Sequence, residues 1–212
     1  MDTELTEDFL PPELAAAAAA VRANLKEKRW HHTLCVCRQA LRLARLYGAD
    51  ERKAVTAALF HDYLKESSED QLLQIYAEDA IIKRTHGGSE AAAAALRRRA
   101  PAAWHGICAA PAVRERFGIV DEEILTAIDC HTCGRAGMSA LDKILYLADM
   151  TGEDRAFPGV EELRVLVLQD LDTAMIRALH NTIDHVASGG GCVDGESLAA
   201  LQDLEARKGE GK

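Results

Sequence analysis

Histidine and aspartate residues that could bind a metal stand at the ends of several apolar helical patterns in this chain. The pair His61–Asp62 follows an apolar stripe made by Val55, Ala58 and Leu59. A lone carboxylate at the end of such a stripe is costly to bury, so it needs a cation, a metal or several hydrogen-bond donors. Neighbouring histidine and aspartate side chains can offer nitrogen and oxygen to one divalent cation, and a carboxylate can also bridge two. For this dipeptide alone, an aspartate that merely caps the chain as it leaves the helix is the competing interpretation.

The adjacent histidines His31 and His32 lie on different faces of the predicted helix, because successive residues of a helix are about 100° apart around its axis. His31 shares a face with Arg38 and other basic residues, which is typical of a solvent-exposed stripe. His32 shares a face with Val36 and Leu43, which is typical of an inward-facing stripe. We therefore predict that His32 is the candidate ligand and that His31 lies on the surface. A hydrogen-bonded core histidine is the alternative for His32.

The same conflict between polar side chain and apolar surroundings recurs three times further along the chain. Asp149 ends the apolar run "ILYLAD", His131 shares a face with Ile128, and His105 directly follows Trp104. Each of these residues alone could be an ordinary buried polar group with a local partner. Taken together they favour one shared metal site, because such a site supplies partners to all of them.

The cysteines and the nearby basic residues carry less specific signals. "CHTC" at 130–133 resembles half of a zinc site, but no second cysteine pair at ligand spacing is present, so we expect structural thiols. Basic residues close to the candidate site in sequence are Lys65, Arg135, Lys143 and Arg155. They could neutralise a phosphate group, and solvent-exposed surface charge is the alternative.

The length, composition and net charge limit the classes of protein to which this chain can belong. The chain has 212 residues, 48% of them hydrophobic, and a formal net charge of −9. This acidic balance disfavours nonspecific binding to nucleic acid or to an anionic membrane. No apolar run is long enough for a transmembrane helix, and the acidic N-terminus is unlike a signal peptide, so we expect a cytoplasmic protein.

The sequence reads as all-α, because alanine, leucine, arginine and glutamate abound and no clean alternating apolar run occurs. Gly48 with Asp50, and Gly118 with Asp121, predict a helix end followed by a new helix start. Helices are predicted near residues 12–28, 30–47, 51–64, 69–78, 88–99, 102–116, 121–131, 139–150 and 159–187. We expect a helical bundle over 29–187, an N-terminal helical appendage over 1–28, and a glycine-rich break with a C-terminal tail over 188–212. The apolar appendage is compatible with a homodimer.

The ordered set of these residues resembles the HD-domain metal-dependent phosphohydrolases. It runs from "RWHH" (29–32) through "ALFHDYLK" (58–65), "WHG" (104–106) and "HTCG" (131–134) to "LDKILYLAD" (141–149). More narrowly, it is similar to the bacterial YqeK-type family, whose members cut diadenosine tetraphosphate symmetrically into two ADP. The resemblance covers about 29–165 and implies an HD-domain helical bundle.

The resemblance also implies a dinuclear metal centre and a nucleotide substrate. One metal would be held by His32, His61, Asp62 and Asp149, and the other by His105, His131 and the bridging Asp62. Iron is the expected metal, and manganese, cobalt or another divalent ion is the alternative. Lys65 and Arg155 would bind phosphate and, together with Asp62, take part in catalysis. Further substrate contacts would come from Arg29, Thr132 and Gly134.

Two departures from the family pattern bear on the function. The family usually carries a glutamate three residues after the last aspartate, where this chain has Gly152 followed by Glu153. Residues 66–104 follow the pattern poorly, which leaves the substrate open. Other HD phosphohydrolase activities, on nucleotide monophosphates, dNTPs or alarmones, stay as alternatives. A nucleotide-sensing module without turnover is the alternative from another class.

Overall fold

The computed structural model describes residues 7–210, and the part of the chain that it describes is helical without any strand. The all-α prediction is therefore confirmed. The helices are Ala15–Asn24 (α1), Glu27–Tyr47 (α2), Glu51–Phe60 (α3), Glu69–Glu78 (α4), Ala80–His86 (α5), Ser89–Arg97 (α6), Trp104–Phe117 (α7), Glu122–Cys130 (α8), Ala140–Thr151 (α9), Val160–Leu166 (α10), Leu171–Ser188 (α11) and Gly195–Glu210 (α12).

Local sequence signals set most helix boundaries. Gly48 and Gly118 end α2 and α7 in the left-handed conformation, with φ of 67° and 68°. The Asp50 side chain then accepts a hydrogen bond from the Lys53 amide at 2.9 Å, and the Asp121 side chain accepts one from the Glu123 amide at 3.0 Å. Both predicted stop–start pairs are confirmed, since glycine tolerates positive φ and aspartate satisfies an amide that the first helical turn leaves free.

The structure differs from the predicted helices in four places. The helix predicted over 12–28 ends at Asn24, and α2 already begins at Glu27 rather than near residue 30. The predicted helix over 159–187 is two helices, because the Asp170 side chain accepts from the Thr173 amide at 2.7 Å and starts α11. Helix α5 was not expected, and Asp79 starts it by accepting from the amides of Ile81 and Ile82. Helix α3 stops at Phe60 rather than near residue 64, so the residues that follow it lie in turns.

Helix α2 runs through the centre of the bundle and packs against α3 and α9, while α8 packs against α3, α7 and α9. The side chains at this crossing are fully buried; among the largest are Leu43, Phe60, Ile128 and Tyr146. Helices α3, α8 and α9 end near one place in the interior, and helices α2 and α7 begin near the same place. The metal-competent residues of the sequence stand at those positions.

The outer parts of the chain also contribute to the core. Ala18 and Val21 of α1 are buried, as are Ala200 and Leu204 of α12. Residues 195–210 thus form a packed helix rather than a loose tail. The division into 1–28, 29–187 and 188–212 stays a prediction, and residues 1–6 and 211–212 lie outside the described part.

No helix within residues 7–210 is long and apolar enough to cross a membrane. The expected cytoplasmic location and the homodimer stay predictions.

Candidate metal centre

Two triads of metal-competent side chains meet in the interior of the bundle. In each triad the candidate ligand atoms all lie within 4.8 Å of one another. The first triad consists of His32, His61 and Asp149, and the second consists of Asp62, His105 and His131. These are the six residues that the sequence singled out, and they come from α2, the end of α3, α7, the end of α8, and α9. His31, next to His32, is exposed.

Asp62, a member of the second triad, also lies beside the first triad. Its Oδ2 is 3.4 Å from His61 Nε2 and 3.9 Å from His32 Nε2. Its Oδ1 is 3.1 Å from His105 Nε2 and 3.9 Å from His131 Nε2. The two oxygens of one carboxylate therefore face different triads, which is the arrangement that a bridging ligand requires.

His61 and His131 share one local structure. Each follows the last residue of a helix, and its Nδ1 donates a hydrogen bond to the carbonyl three residues earlier, on Ala58 and Ile128 respectively, at 2.7 Å. A carbonyl only accepts, so Nδ1 carries the hydrogen and Nε2 faces the centre with its lone pair. His61 Nε2 is buried and has no hydrogen-bond partner among the described residues. A buried acceptor without a partner is costly, and a cation would satisfy it.

The ionisation of the centre favours cation binding. Burial alone would raise the pKa of Asp62, but the neighbouring imidazoles of His61 and His105 hold it well below the usual range. The pKa of Asp149 is likewise lowered despite its burial, through the hydrogen bond with His32 and the charge of Arg155. Burial, with His105 and His61 close by, lowers the pKa of His131 to about 3. Two carboxylates held in their anionic form, together with imidazole nitrogens, form a donor set that suits a divalent metal.

Asp154 is a residue that the sequence analysis missed. Its Oδ2 lies 2.8 Å from His32 Nδ1, so the imidazole donates to it while His32 Nε2 turns toward Asp149 at 2.9 Å. Burial would lower the pKa of His32, but the hydrogen bonds to Asp149 and Asp154 outweigh it and the pKa is raised. A carboxylate on the far nitrogen orients a metal-binding histidine and increases its basicity. Glu153, which follows Gly152 at the departure from the family pattern, is exposed.

Arg164 holds the loop that carries Asp154. Its guanidinium donates to the carbonyls of Thr151, Gly152 and Arg155 at 3.2, 2.6 and 2.8 Å. Only the fold brings this side chain of α10 to the loop, so the sequence offered no signal for it.

Gly106 is a second missed residue, although it stands within the quoted "WHG". A Cβ at this position would lie 2.7 Å from His131 Cε1 and 3.0 Å from the Ile128 carbonyl oxygen. These contacts are too short for any side chain, so glycine lets α7 approach α8 closely enough to bring His105 and His131 together. The Nε2 atoms of these two histidines are 3.1 Å apart.

Basic side chains line the rim of the centre. Arg155 donates from Nε to the Asp149 carbonyl at 2.7 Å and from Nη2 to the Asp149 carboxylate. Arg29 Nη1 donates to Asp62 Oδ2 at 2.7 Å. Lys65 Nζ lies 3.3 Å from His105 Nε2 and 4.0 Å from Asp62 Oδ1, and burial lowers its pKa.

The remaining predicted residues are divided between the centre and other places. Thr132 Oγ1 lies at the centre, 3.1 Å from His131 Nε2. Gly134 has a φ of +71°, and a Cβ there would approach Ala200 at 3.2 Å, so this glycine accommodates α12. Arg135 binds Asp142 at 2.7 Å, which places its charge away from the centre.

The cysteine prediction agrees with the structure. Five of the cysteines are buried and Cys192 is exposed, all of them as free thiols. Burial raises the pKa of Cys133 to about 12, which keeps it protonated. Neither triad includes a cysteine.

Comparison with known proteins agrees with this geometry. The model of the family described as HD domain matches residues 29–152. Proteins named symmetrical bis(5'-nucleosyl)-tetraphosphatase are similar over most of their length. The one from Bacillus subtilis is 41% identical and the match covers 79% of this chain and 84% of the relative. The one from Halalkalibacterium halodurans is 38% identical, and the match covers 89% of this chain and 95% of the relative.

A solved structure has the same fold. It is described as a predicted HD superfamily hydrolase involved in NAD metabolism from Clostridium acetobutylicum. Its TM-score is 0.79 at 32% identity, and the match covers 91% of this chain and 96% of that one. The expected helical bundle of the HD type is thereby confirmed.

Proposed function

Since this chain belongs to the HD domain family, we propose that it hydrolyses dinucleoside tetraphosphates symmetrically, releasing two ADP from diadenosine tetraphosphate. The relatives named for this activity span most of the chain. The observation that carries the proposal is Asp62, whose two carboxylate oxygens face two separate triads of ligand atoms. Two cations held on either side of one carboxylate suit cleavage of a phosphoanhydride bond.

The donor set fits two divalent cations. His32, His61 and Asp149 would hold one, His105 and His131 would hold the other, and Asp62 would serve both. When bound, such cations activate water and neutralise charge on phosphoryl oxygens. We propose iron on the family resemblance, and manganese or cobalt is also compatible with imidazole and carboxylate ligands.

The basic residues at the rim would position the phosphate chain. Arg155 is fixed by its contacts with Asp149 through Nε and Nη2, and Nη1, which makes no hydrogen bond within residues 7–210, would meet a phosphate oxygen. The Lys65 ammonium lies against the His105 imidazole, and its nearest carboxylate within residues 7–210, that of Asp62, is 4.0 Å away, so a phosphate oxygen would supply a closer counter-charge. Charges aimed at the oxygens where negative charge grows stabilise the transition state of phosphoryl transfer.

Arg29 and Thr132 would complete the polar surroundings. The Arg29 guanidinium is paired with the Asp62 carboxylate. Once a cation binds this carboxylate, the guanidinium would be available to pair with a phosphate oxygen. The Thr132 hydroxyl lies beside His131 and can donate to an oxygen of the bound substrate.

Product identification tests the proposal directly. Metal-depleted protein is loaded with ferrous iron under anaerobic conditions, or with manganese or cobalt, and given diadenosine tetraphosphate. Chromatography should show ADP as the sole product. The appearance of ATP with AMP would overturn the symmetrical assignment. Turnover of dNTPs, nucleotide monophosphates or alarmones alone would favour another HD phosphohydrolase, and nucleotide binding without any turnover would favour a sensing module.

A further inference from the structure

A cleft of about 560 Å³ opens beside the two triads, between the end of α9, the loop after it, and α11. Its inner side is lined by Asp149, Arg155 and His131, which belong to the metal centre. Its outer side is lined by residues of α11 that include Asn181 and Asp184. The volume falls within the range of about 300–1,000 Å³ that is typical of small-molecule sites.

Apolar and aromatic side chains form part of this cleft. Phe157, from the loop after α9, is half-buried, and Met150 also lines the cleft. Tyr146 also contributes, but its hydroxyl is already hydrogen-bonded to Thr182 at 2.9 Å. The cleft therefore offers an apolar surface and an aromatic ring next to the metal centre. A planar base can pack against such a ring, and base stacking on aromatic side chains is favourable for every base.

Asn181 shares the outer wall with the polar residues Asp184 and His185, and it is less exposed than either of them. Its neighbours in sequence are both occupied, since His180 contacts Glu205 at 3.1 Å and Thr182 contacts Tyr146. Asn181 is half-buried and makes no hydrogen bond within residues 7–210. Its amide offers donors and an acceptor side by side, which matches the amino group and ring nitrogen at the edge of adenine.

We propose that this cleft binds one nucleoside half of the substrate, with Phe157 against the base and Asn181 hydrogen-bonded to the edge of the base. The inference rests on the proposed function, and it adds residues of α11 and of the 156–158 loop to the site. The phosphate chain would leave the cleft past Arg155 toward the metal centre. The second half of the substrate would extend on the other side, past Lys65.

Kinetics of Asn181 and Phe157 variants test this assignment. Asn181→Ala and Phe157→Ala should each raise KM for diadenosine tetraphosphate by roughly 5-fold or more while kcat stays close to wild type, because base contacts are equal in ground and transition states. His180→Ala, on the same helix but paired with Glu205, should leave both constants unchanged. An unchanged KM in both test variants, or a fall in kcat alone, would overturn the proposal.

Asn181→Asp provides a sharper measurement, since a carboxylate only accepts hydrogen bonds. It cannot donate to the ring nitrogen of adenine, whereas guanine presents two adjacent donors on its Watson–Crick edge. The ratio of kcat/KM for diadenosine over diguanosine tetraphosphate should fall by roughly 5-fold or more relative to wild type. An unaltered ratio would contradict a contact between Asn181 and the base.

Binding measurements separate this proposal from the proposed activity. Calorimetry on the metal-loaded protein compares ADP with inorganic diphosphate, which lacks the nucleoside. Asn181→Ala and Phe157→Ala should weaken ADP binding by roughly 5-fold or more and leave diphosphate binding unchanged. This result would support the cleft even if no tetraphosphate were hydrolysed. Equal losses for both ligands, or no loss for ADP, would overturn it.

Discussion

At the scale of single residues, Asp62 is the group on which the centre depends most. It is 3% exposed and touches imidazoles of both triads as well as Arg29. A buried carboxylate in such surroundings is stable only because these partners compensate its charge. The same partners would be left without an anion if the charge were removed.

Asp62→Asn should therefore abolish hydrolysis and reduce metal content below that of wild type. Asparagine keeps the shape but offers one neutral oxygen in place of two anionic ones, so it cannot serve both triads. Metal analysis together with turnover of diadenosine tetraphosphate measures the effect. His31→Ala is the matched control, since His31 is exposed and should change neither quantity. Equal damage from the two changes would contradict the central position of Asp62.

Asp154 gives a second prediction for a single residue. Asp154→Asn should lower metal affinity by about 10–100-fold, because His32 loses the carboxylate that fixes its ring and increases its basicity. Titration of the metal-depleted protein measures this, and Asp154→Glu should recover part of the affinity. Glu153→Gln, at the exposed neighbouring position, should bind metal like wild type. Wild-type affinity in Asp154→Asn would show that His32 needs no such partner.

At the scale of elements, a glycine contact sets how closely the start of α7 packs against the end of α8. Helices α3 and α8 are each followed by a histidine with the same hydrogen bond to the preceding turn. Helix α7 reaches α8 through Gly106, where no Cβ fits. The position of His105 relative to His131 therefore depends on how closely two helices approach.

Gly106→Ala should separate α7 from α8 and impair the centre. The new methyl group would press on the His131 ring and the backbone at Ile128, and such overpacking costs about 1–3 kcal/mol. Urea unfolding should show this loss of stability, and metal content should fall with it. Gly209→Ala meets nothing within 4 Å and should be neutral or slightly stabilising. An active and fully stable Gly106→Ala protein would contradict the steric argument.

The helices and the clustering of the candidate ligand residues could be predicted because their signals are local. Apolar periodicity, glycine stops and aspartate starts mark the helices, and polar residues at the ends of apolar stripes mark the centre. Asp154 and Arg164 could not be found in this way, because each acts through a contact with a residue from another part of the chain. The break between α10 and α11 was missed because the apolar pattern continues through it. The hydrogen bond from the Thr173 amide to the Asp170 side chain starts a new helix there all the same.

At the scale of the whole molecule, the C-terminal helix is tied to the bundle by Asp194. This side chain is buried, accepts from Arg99 Nε at 3.0 Å and from the Ala100 amide at 2.8 Å, and accepts from the Glu196 amide at the start of α12. One carboxylate thus joins the turn before α7 to the last helix.

Asp194→Asn should destabilise the protein by about 1.5–3 kcal/mol at neutral pH, which is the range for hydrogen bonds to a charged group. Burial would raise the pKa of Asp194, but Arg99 and two backbone amides lower it. The stabilisation is therefore complete above the unfolded pKa of about 3.9 and is lost as the pH falls through the lower folded value. Urea unfolding at pH 7 and below pH 4 measures the difference between variant and wild type, which should shrink in acid.

Glu205→Gln is the control for that measurement, since it removes a half-exposed pair with His180 that links α12 to α11 instead. Such surface pairs contribute at most about 1 kcal/mol. A difference for Asp194→Asn that stayed constant down to low pH would show that packing, not charge, ties α12 to the bundle.

The histidines at the ends of α3 and α8 bear on how the protein acquires its ions. Both rings are anchored to main-chain oxygens by their far nitrogens, and this anchoring needs no ion. Because both anchors lie in the main chain, we expect the two rings to keep the same orientation toward the centre whichever divalent ion is bound. Imidazole and carboxylate ligands accept several such ions, so the same polypeptide should be recovered with different ions from different growth media.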